Sequence, residues 1–150
     1  MARLGGSMQK NNGFTLIELI VTIAVLGIIA TIAAPSFGNM IKNQKFKSNT
    51  NALIDKIKQA RTYAVLNHQG VTLKLNVAGT DNPPVFNWIS EGSARLKNAS
   101  DAEVEFDKQG FLRSTFDVIE VCKNTGSSES IKITLTALGQ IHKVEKGACT

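Results

Sequence analysis

The chain reads as an α+β protein: a long N-terminal helix, half transmembrane and half amphipathic, packed on a small, mostly antiparallel β-sheet head. Three observations predict this. Residues 14–34 form an apolar or weakly polar run interrupted by one charge, Glu18. Apolar side chains then recur at helical spacing as far as Ala64. The remainder breaks into short runs of alternating polarity set between turn residues. With 150 residues there is room for one small domain besides the anchor.

The apolar run comes first. From Phe14 to Ala34 it makes about 31 Å of helix at 1.5 Å per residue, enough to cross the bilayer core. An ionised side chain at that depth costs roughly 3 kcal/mol or more, so Glu18 needs a partner or a purpose. Cleavage between Gly13 and Phe14 supplies one. The new α-amino cation of Phe14 lies one helical turn from Glu18, or beside Glu18 of a neighbouring copy. The segment is then an assembly device as well as an anchor. Arg3 and Lys10 precede the run and hold the N-terminus in the cytoplasm by the positive-inside bias. Both leave with a leader of residues 1–13, and no acid does, so the formal charge falls from +5 to about +3. Such mild basicity does not by itself imply nucleic acid. Met1 and Met8 are alternative starts. A cleaved secretory signal ending at Thr31-Ile32-Ala33, or a plain anchor, leaves Glu18 without a use and does not explain why Gly13-Phe14 opens the run.

The helix continues beyond Pro35, which lacks a backbone donor and should kink it. Phe46, Leu53, Ile57, Ala60 and Ala64 share one face, while Lys42, Lys45, Lys47, Lys56, Lys58 and Arg61 fall mostly elsewhere. The stripe should dock on a sheet, and Asn67 to Gly70 offers a natural stop. Strands are expected at Val71–Leu75, Val85–Ile89, Val104–Phe106, Phe116–Val121, Ile131–Thr136 and Gln140–Val144. Asp81-Asn82-Pro83-Pro84, Asp107 to Gly110, Gly126-Ser127-Ser128 and Gly139 supply turns or loops between them. Phe86, Trp88, Phe106, Phe111 and Phe116 are the aromatic candidates for the core.

Catalytic chemistry finds no foothold. Serines, acids and the two histidines are scattered, and no spacing pairs a nucleophile with a base. His68 lies at the helix end, where a cation suits the dipole. There is no Gly-rich phosphate loop, and two Cys with two His fit no zinc spacing. The expectation is no catalytic residue, no metal and no cofactor. The chain reads as the substrate of an enzyme, not as an enzyme.

Gly13-Phe14-Thr15-Leu16-Ile17-Glu18 resembles the class III signal of type IV pilins and type II secretion pseudopilins. The resemblance implies that a membrane-embedded prepilin peptidase cuts after Gly13 and methylates the Phe14 amine. It also implies that Glu18 guides subunit docking, and that Gly27 and Pro35 mark bends or melted places in the filament helix. Phe14, Thr15, Glu18, Gly27 and Pro35 are thus the expected assembly residues. The head is similar to the GspH/FimT branch through Ala60 to Ala64, Val71 to Leu73, Val104 to Gly110 and Ile131 to Thr134 before Gly139. From this follow a leader at 1–13, an assembly helix at 14–37, an amphipathic helix at 38–69 and a periplasmic head at 70–150. The chain would cross the inner membrane once and enter a pilus or pseudopilus after cleavage. As a minor pilin it would act at the tip or initiation complex, with other pilins as partners. The alternatives are pseudopilin H of type II secretion, with secreted exoproteins as partners, and a DNA-binding minor pilin of natural transformation.

Two further expectations rest on that placement. A head in an oxidising compartment should pair Cys122 with Cys149, and minor pilins often tie their C-terminal regions in this way. DNA-binding members of the branch carry Gly-Arg-x-Arg where this chain has Gly139-Gln140-Ile141-His142. Lys132, His142, Lys143 and Lys146 could still contact phosphates without sequence preference. The other reading of these residues is a solvated strand edge guarded by lysines.

Overall fold

The computed structural model describes residues 13–97, 102–123 and 128–149. Arg3, Met8 and Lys10 of the leader, and Gly126-Ser127 of the expected loop, lie outside these. The chain divides into two units, Met1–Asn39 and Met40–Thr150, and helix α1 (Leu16–Asn67) contributes to both.

In the first unit α1 is apolar on every side. Leu16, Ile20, Leu26, Ile29 and Ile32 are each more than half exposed. A helix without a polar face is stable only among lipids or other helices, and this one is long and apolar enough to cross a membrane, with a mean hydropathy of 2.6 over its most apolar 18 residues. Pro35 stays within the α-helix.

In the second unit α1 buries Phe46, Thr50, Leu53, Ile57, Ala60 and Ala64. Every residue of the expected stripe is therefore on the buried face, and Thr50 completes it. The Thr50 hydroxyl donates to the Phe46 carbonyl one turn earlier, at 2.9 Å, so its oxygen is satisfied within the helix. The helix stops at Asn67 through His68, whose φ of 50° is left-handed. The Gln69 N–H donates to the Ala64 carbonyl, the six-to-one bond of a Schellman cap.

Among the described residues seven strands follow: β1 (Val71–Leu75), β2 (Val85–Trp88), β3 (Ala94–Leu96), β4 (Glu103–Phe106), β5 (Val118–Lys123), β6 (Glu129–Leu135) and β7 (Ile141–Ala148). They form two sheets rather than one, ordered β2-β1-β4 and β3-β5-β6-β7. All pairings are antiparallel except β1 with β2, which is parallel from Thr72 opposite Val85 to Leu75 opposite Trp88. Alternating polarity carries no direction, so the sequence left the pairing of these two strands open. The connection runs back along the sheet, held by Asp81. Its Oδ1 accepts the Asn87 N–H at 2.9 Å and its Oδ2 pairs with Lys56.

The core holds Leu53 and Ile57 from α1 against Leu73, Phe86, Val104, Phe106, Val121 and Ile133. Tyr63 meets the Phe86 ring edge-to-face, 5.6 Å between centroids. Phe86, Trp88 and Phe106 are buried as expected, and Phe116 is half-buried against the core. Phe111 is not in the core and is 42% exposed. Its backbone closes the Asp107 turn, with the Phe111 N–H donating to Asp107 Oδ1 at 2.9 Å and its carbonyl accepting from the Asp107 N–H. The turn's geometry, not hydrophobicity, sets the direction of that side chain. Beside it, Gly110 and Gly139 adopt φ values of +81° and +71° and touch. A Cβ on Gly139 would strike the Gly110 carbonyl and the Phe106 ring, so two tight turns meet where only glycine fits.

Candidate processing and assembly site

Gly13, Phe14 and Thr15 precede the helix in non-helical, exposed backbone, and Phe14 is 90% exposed. The Gly13–Phe14 bond thus lies in exposed, non-helical backbone just before α1.

Thr15 and Glu18 then start the helix between them. The Thr15 N–H and hydroxyl both donate to Glu18 Oε2 at 2.9 Å. The Glu18 N–H donates back to Thr15 Oγ1 at 3.3 Å. This is a capping box: donors that a helix start leaves unpaired are satisfied by the side chains of its cap and third residue. Sequence reasoning sought a cation for Glu18 and passed over the Thr-x-x-Glu spacing, which was the available signal. Gly27 has no neighbour within 4 Å of the place where a Cβ would sit, and Pro35 lies eight residues further along α1.

Cys122 and Cys149 are joined, their Cα atoms 5.8 Å apart across a separation of 27 residues. Cys122 is fully buried in β5, and Cys149 follows β7, its N–H donating to the Ser128 carbonyl. The bridge ties the end of the edge strand to the strand two places away.

The four basic candidates for phosphate contact do not share one surface. Cross-strand pairs Lys132–Glu145 and Thr134–Lys143 put Lys132 and Lys143 on one face of the sheet. Lys146 stands opposite Ile131, on the other face, and His142 occupies the irregularity between Thr134 and Leu135 pairings. Carboxylates are interleaved with the first pair. Lys143 reaches Glu145 at 2.6 Å, and its hydrogen bond and charge hold the Glu145 carboxyl below the usual range. Glu120 lies across from Lys132. The Ser130 hydroxyl, donating at 2.6 Å, keeps Glu120 ionised to lower pH against the opposing effect of partial burial, and Lys97 at 3.2 Å adds to the shift. This face is a mosaic of ion pairs. Among the described residues no cluster of His, Cys, Asp and Glu is arranged to hold a metal.

Comparison with known proteins agrees with the N-terminal geometry. The family model described as the prokaryotic N-terminal methylation motif matches residues 8–34. The chain is 33% identical over 93 residues to fimbrial protein Q of Moraxella bovis, covering 61% of this chain and 56% of that protein. It is 38% identical over 77 residues to the type IV major pilin protein PilE1 of Neisseria gonorrhoeae, covering 51% of this chain and 34% of that one. It is 41% identical over 56 residues to the type IV major fimbrial protein FimA of Dichelobacter nodosus, covering 37% and 32%. The matched stretch thus spans from about a third to just over half the length of these relatives. No solved structure matches. The chain is thus similar to type IV pilins over these stretches, with a methylation motif opening its apolar helix.

Proposed function

We propose that the chain is a minor pilin: cut between Gly13 and Phe14, methylated at Phe14, and inserted through α1 into the tip or initiation complex of a type IV pilus. In this reading residues 1–13 are the leader, 14–37 the assembly helix, 38–69 the amphipathic helix and 70–150 a periplasmic head. The observation that carries it is the start of α1. One carboxylate, Glu18, stands in a stretch without other charge until Lys42, on a helix whose large apolar side chains are exposed as far as Ile41. Before cleavage Glu18 is occupied by Thr15. After cleavage the α-amine of Phe14, or that of a neighbouring copy, becomes available to the same carboxylate. Phe14, Thr15 and Glu18 align subunits, and Gly27 and Pro35 give the helix its places to yield.

Two of the named relatives, PilE1 and FimA, are major subunits, so abundance is the point of discrimination. The head motifs shared with the GspH/FimT branch and the clipped C-terminal strand support the minor role. Peptide mass spectrometry on sheared pili tests the whole reading. The expected result is a methylated peptide beginning at Phe14, far below a major pilin in amount. An N-terminus after Ala33, or one retaining Gly13, overturns it. Equal abundance with the bulk subunit makes the chain a major pilin, and confinement to the membrane fraction favours pseudopilin H.

A further inference from the structure

β7 is the outermost strand of its sheet, and among the described residues no strand pairs with its outer side. It has eight residues and is the longest described strand, so it is also the longest open edge. Its pairing with β6 fixes which backbone groups face outward. The Cys149 N–H donates to the Ser128 carbonyl, which makes these two a hydrogen-bonded pair of the ladder. Such pairs alternate in an antiparallel ladder, so Gly147, Glu145 and Lys143 turn their N–H and carbonyl groups to β6. Val144, Lys146 and Ala148 turn theirs outward. The Val144 side chain is 47% exposed.

The side chains on one face form a row of alternating sign. Lys97 reaches Glu120 at 3.2 Å, Glu120 stands opposite Lys132, and Lys132 stands opposite Glu145. The row stops at the edge, on a carboxylate. Lys143 shares that face two residues away and meets Glu145 at 2.6 Å within its own strand. Both side chains are exposed, so little is lost when the pair rearranges. The run Lys143-Val144-Glu145 is its own complement when a second copy lies antiparallel to it. Centred on Val144, that register sets Lys143 against Glu145 of the second copy, and Glu145 against its Lys143. It also sets the outward N–H and carbonyl of Val144 against the same groups of the other Val144. A pairing centred on Lys143, Glu145 or Lys146 would put each of those residues opposite itself, and like charges directly opposite are destabilising.

We propose that two copies of this chain join through β7, edge to edge and antiparallel about Val144, so that their sheets become continuous. The row of alternating sign then runs on from Glu145 to Lys143 of the second copy. The charges of β7 do not merely guard an edge; they select one register. His142 lies at the irregularity between the Thr134 and Leu135 pairings, which keeps the regular contact short. A contact of this kind buries less than the roughly 1,200 Å² of a stable interface, so the association is weak and reversible.

The test uses the full chain in mild detergent micelles. Equal amounts of unlabelled and isotope-labelled copies are mixed and treated with a carbodiimide, which joins an amine to a carboxylate in contact with it. Mass spectrometry should find Lys143 of one isotope joined to Glu145 of the other. Joining only within single copies, or between copies at a different pair of β7 residues, overturns the proposed pairing. Sedimentation equilibrium then reads the affinity. Lys143→Glu or Glu145→Lys alone turns two attractive contacts repulsive and should weaken dimerisation roughly tenfold. An equal mixture of the two variants restores both contacts and should recover to within about twofold of the unchanged chain. Lys58→Glu, the same change of charge on α1, should shift dimerisation by less than about twofold. Dimerisation indifferent to the single variants belongs to the exposed apolar helix and overturns the strand contact, as does a mixture that fails to recover. In whole cells, carbodiimide products that join β7 to other proteins and never to a second copy assign the edge to a different partner.

Discussion

Thr15 and Glu18 show that a carboxylate in an apolar run can find its partners in its own helix start. A carboxylate at membrane depth invites the search for a cation, yet its first obligation is the unpaired N–H groups of its own helix start. Thr15→Val and Glu18→Gln should each speed hydrogen exchange of the first-turn amides about fivefold in micelles, a loss near 1 kcal/mol. Because the two act as one unit, the double variant should exchange little faster than either single one. His68 is a second local surprise. The Asn67 to Gly70 region was legible as a stop, but the left-handed position falls on histidine rather than on glycine. Left-handed geometry strains a residue with a Cβ, so His68→Gly should stabilise the chain by about 0.5–1 kcal/mol. Urea titration followed through the single tryptophan, Trp88, would read that gain.

Among the elements, α1 was the most legible because its burial repeats over several turns. Phe46, Leu53, Ile57, Ala60 and Ala64 were readable as one face, and only Thr50, polar by composition, escaped notice. Leu53 is fully buried, so Leu53→Ala should cost about 2–5 kcal/mol in the same titration. Strands were legible where alternation is strong, as in β1, whose bounds match the expected Val71–Leu75. β3 has three residues, too few to show a period. The second half of β7 is polar on both faces because it is an exposed edge, so its reach to Ala148 left no hydrophobic mark. The parallel pairing of β1 with β2 was hidden for another reason. Direction is decided by the path of a connecting segment and by Asp81 pinning it to Lys56 and Asn87, and none of that is periodic.

The whole molecule is governed by charge and by one covalent tie. Glu120 has a folded-state pKa below its ordinary 4.5, chiefly through the Ser130 hydroxyl and then, against partial burial, through Lys97. A depressed carboxyl stabilises the fold fully above the unfolded value, and that contribution fades as pH falls through the folded one. Stability should therefore drop on acidification below about pH 4.5, and Glu120→Gln should make that drop shallower in urea midpoints taken across pH 2–6. Removing the tie, by Cys122→Ala with Cys149→Ala, should cost roughly 3–4 kcal/mol for a loop of this size.

Cys149 comes after β7, while its partner sits inside β5. In a head threaded outward from its N-terminal side, the sulfurs cannot meet until the last strand has emerged and found its place beside β6. In such a head oxidation would record that the chain has emerged as far as Cys149, since β7 must be in place before the bond can form. Chains arrested partway would keep both thiols free, open to alkylation and to disposal.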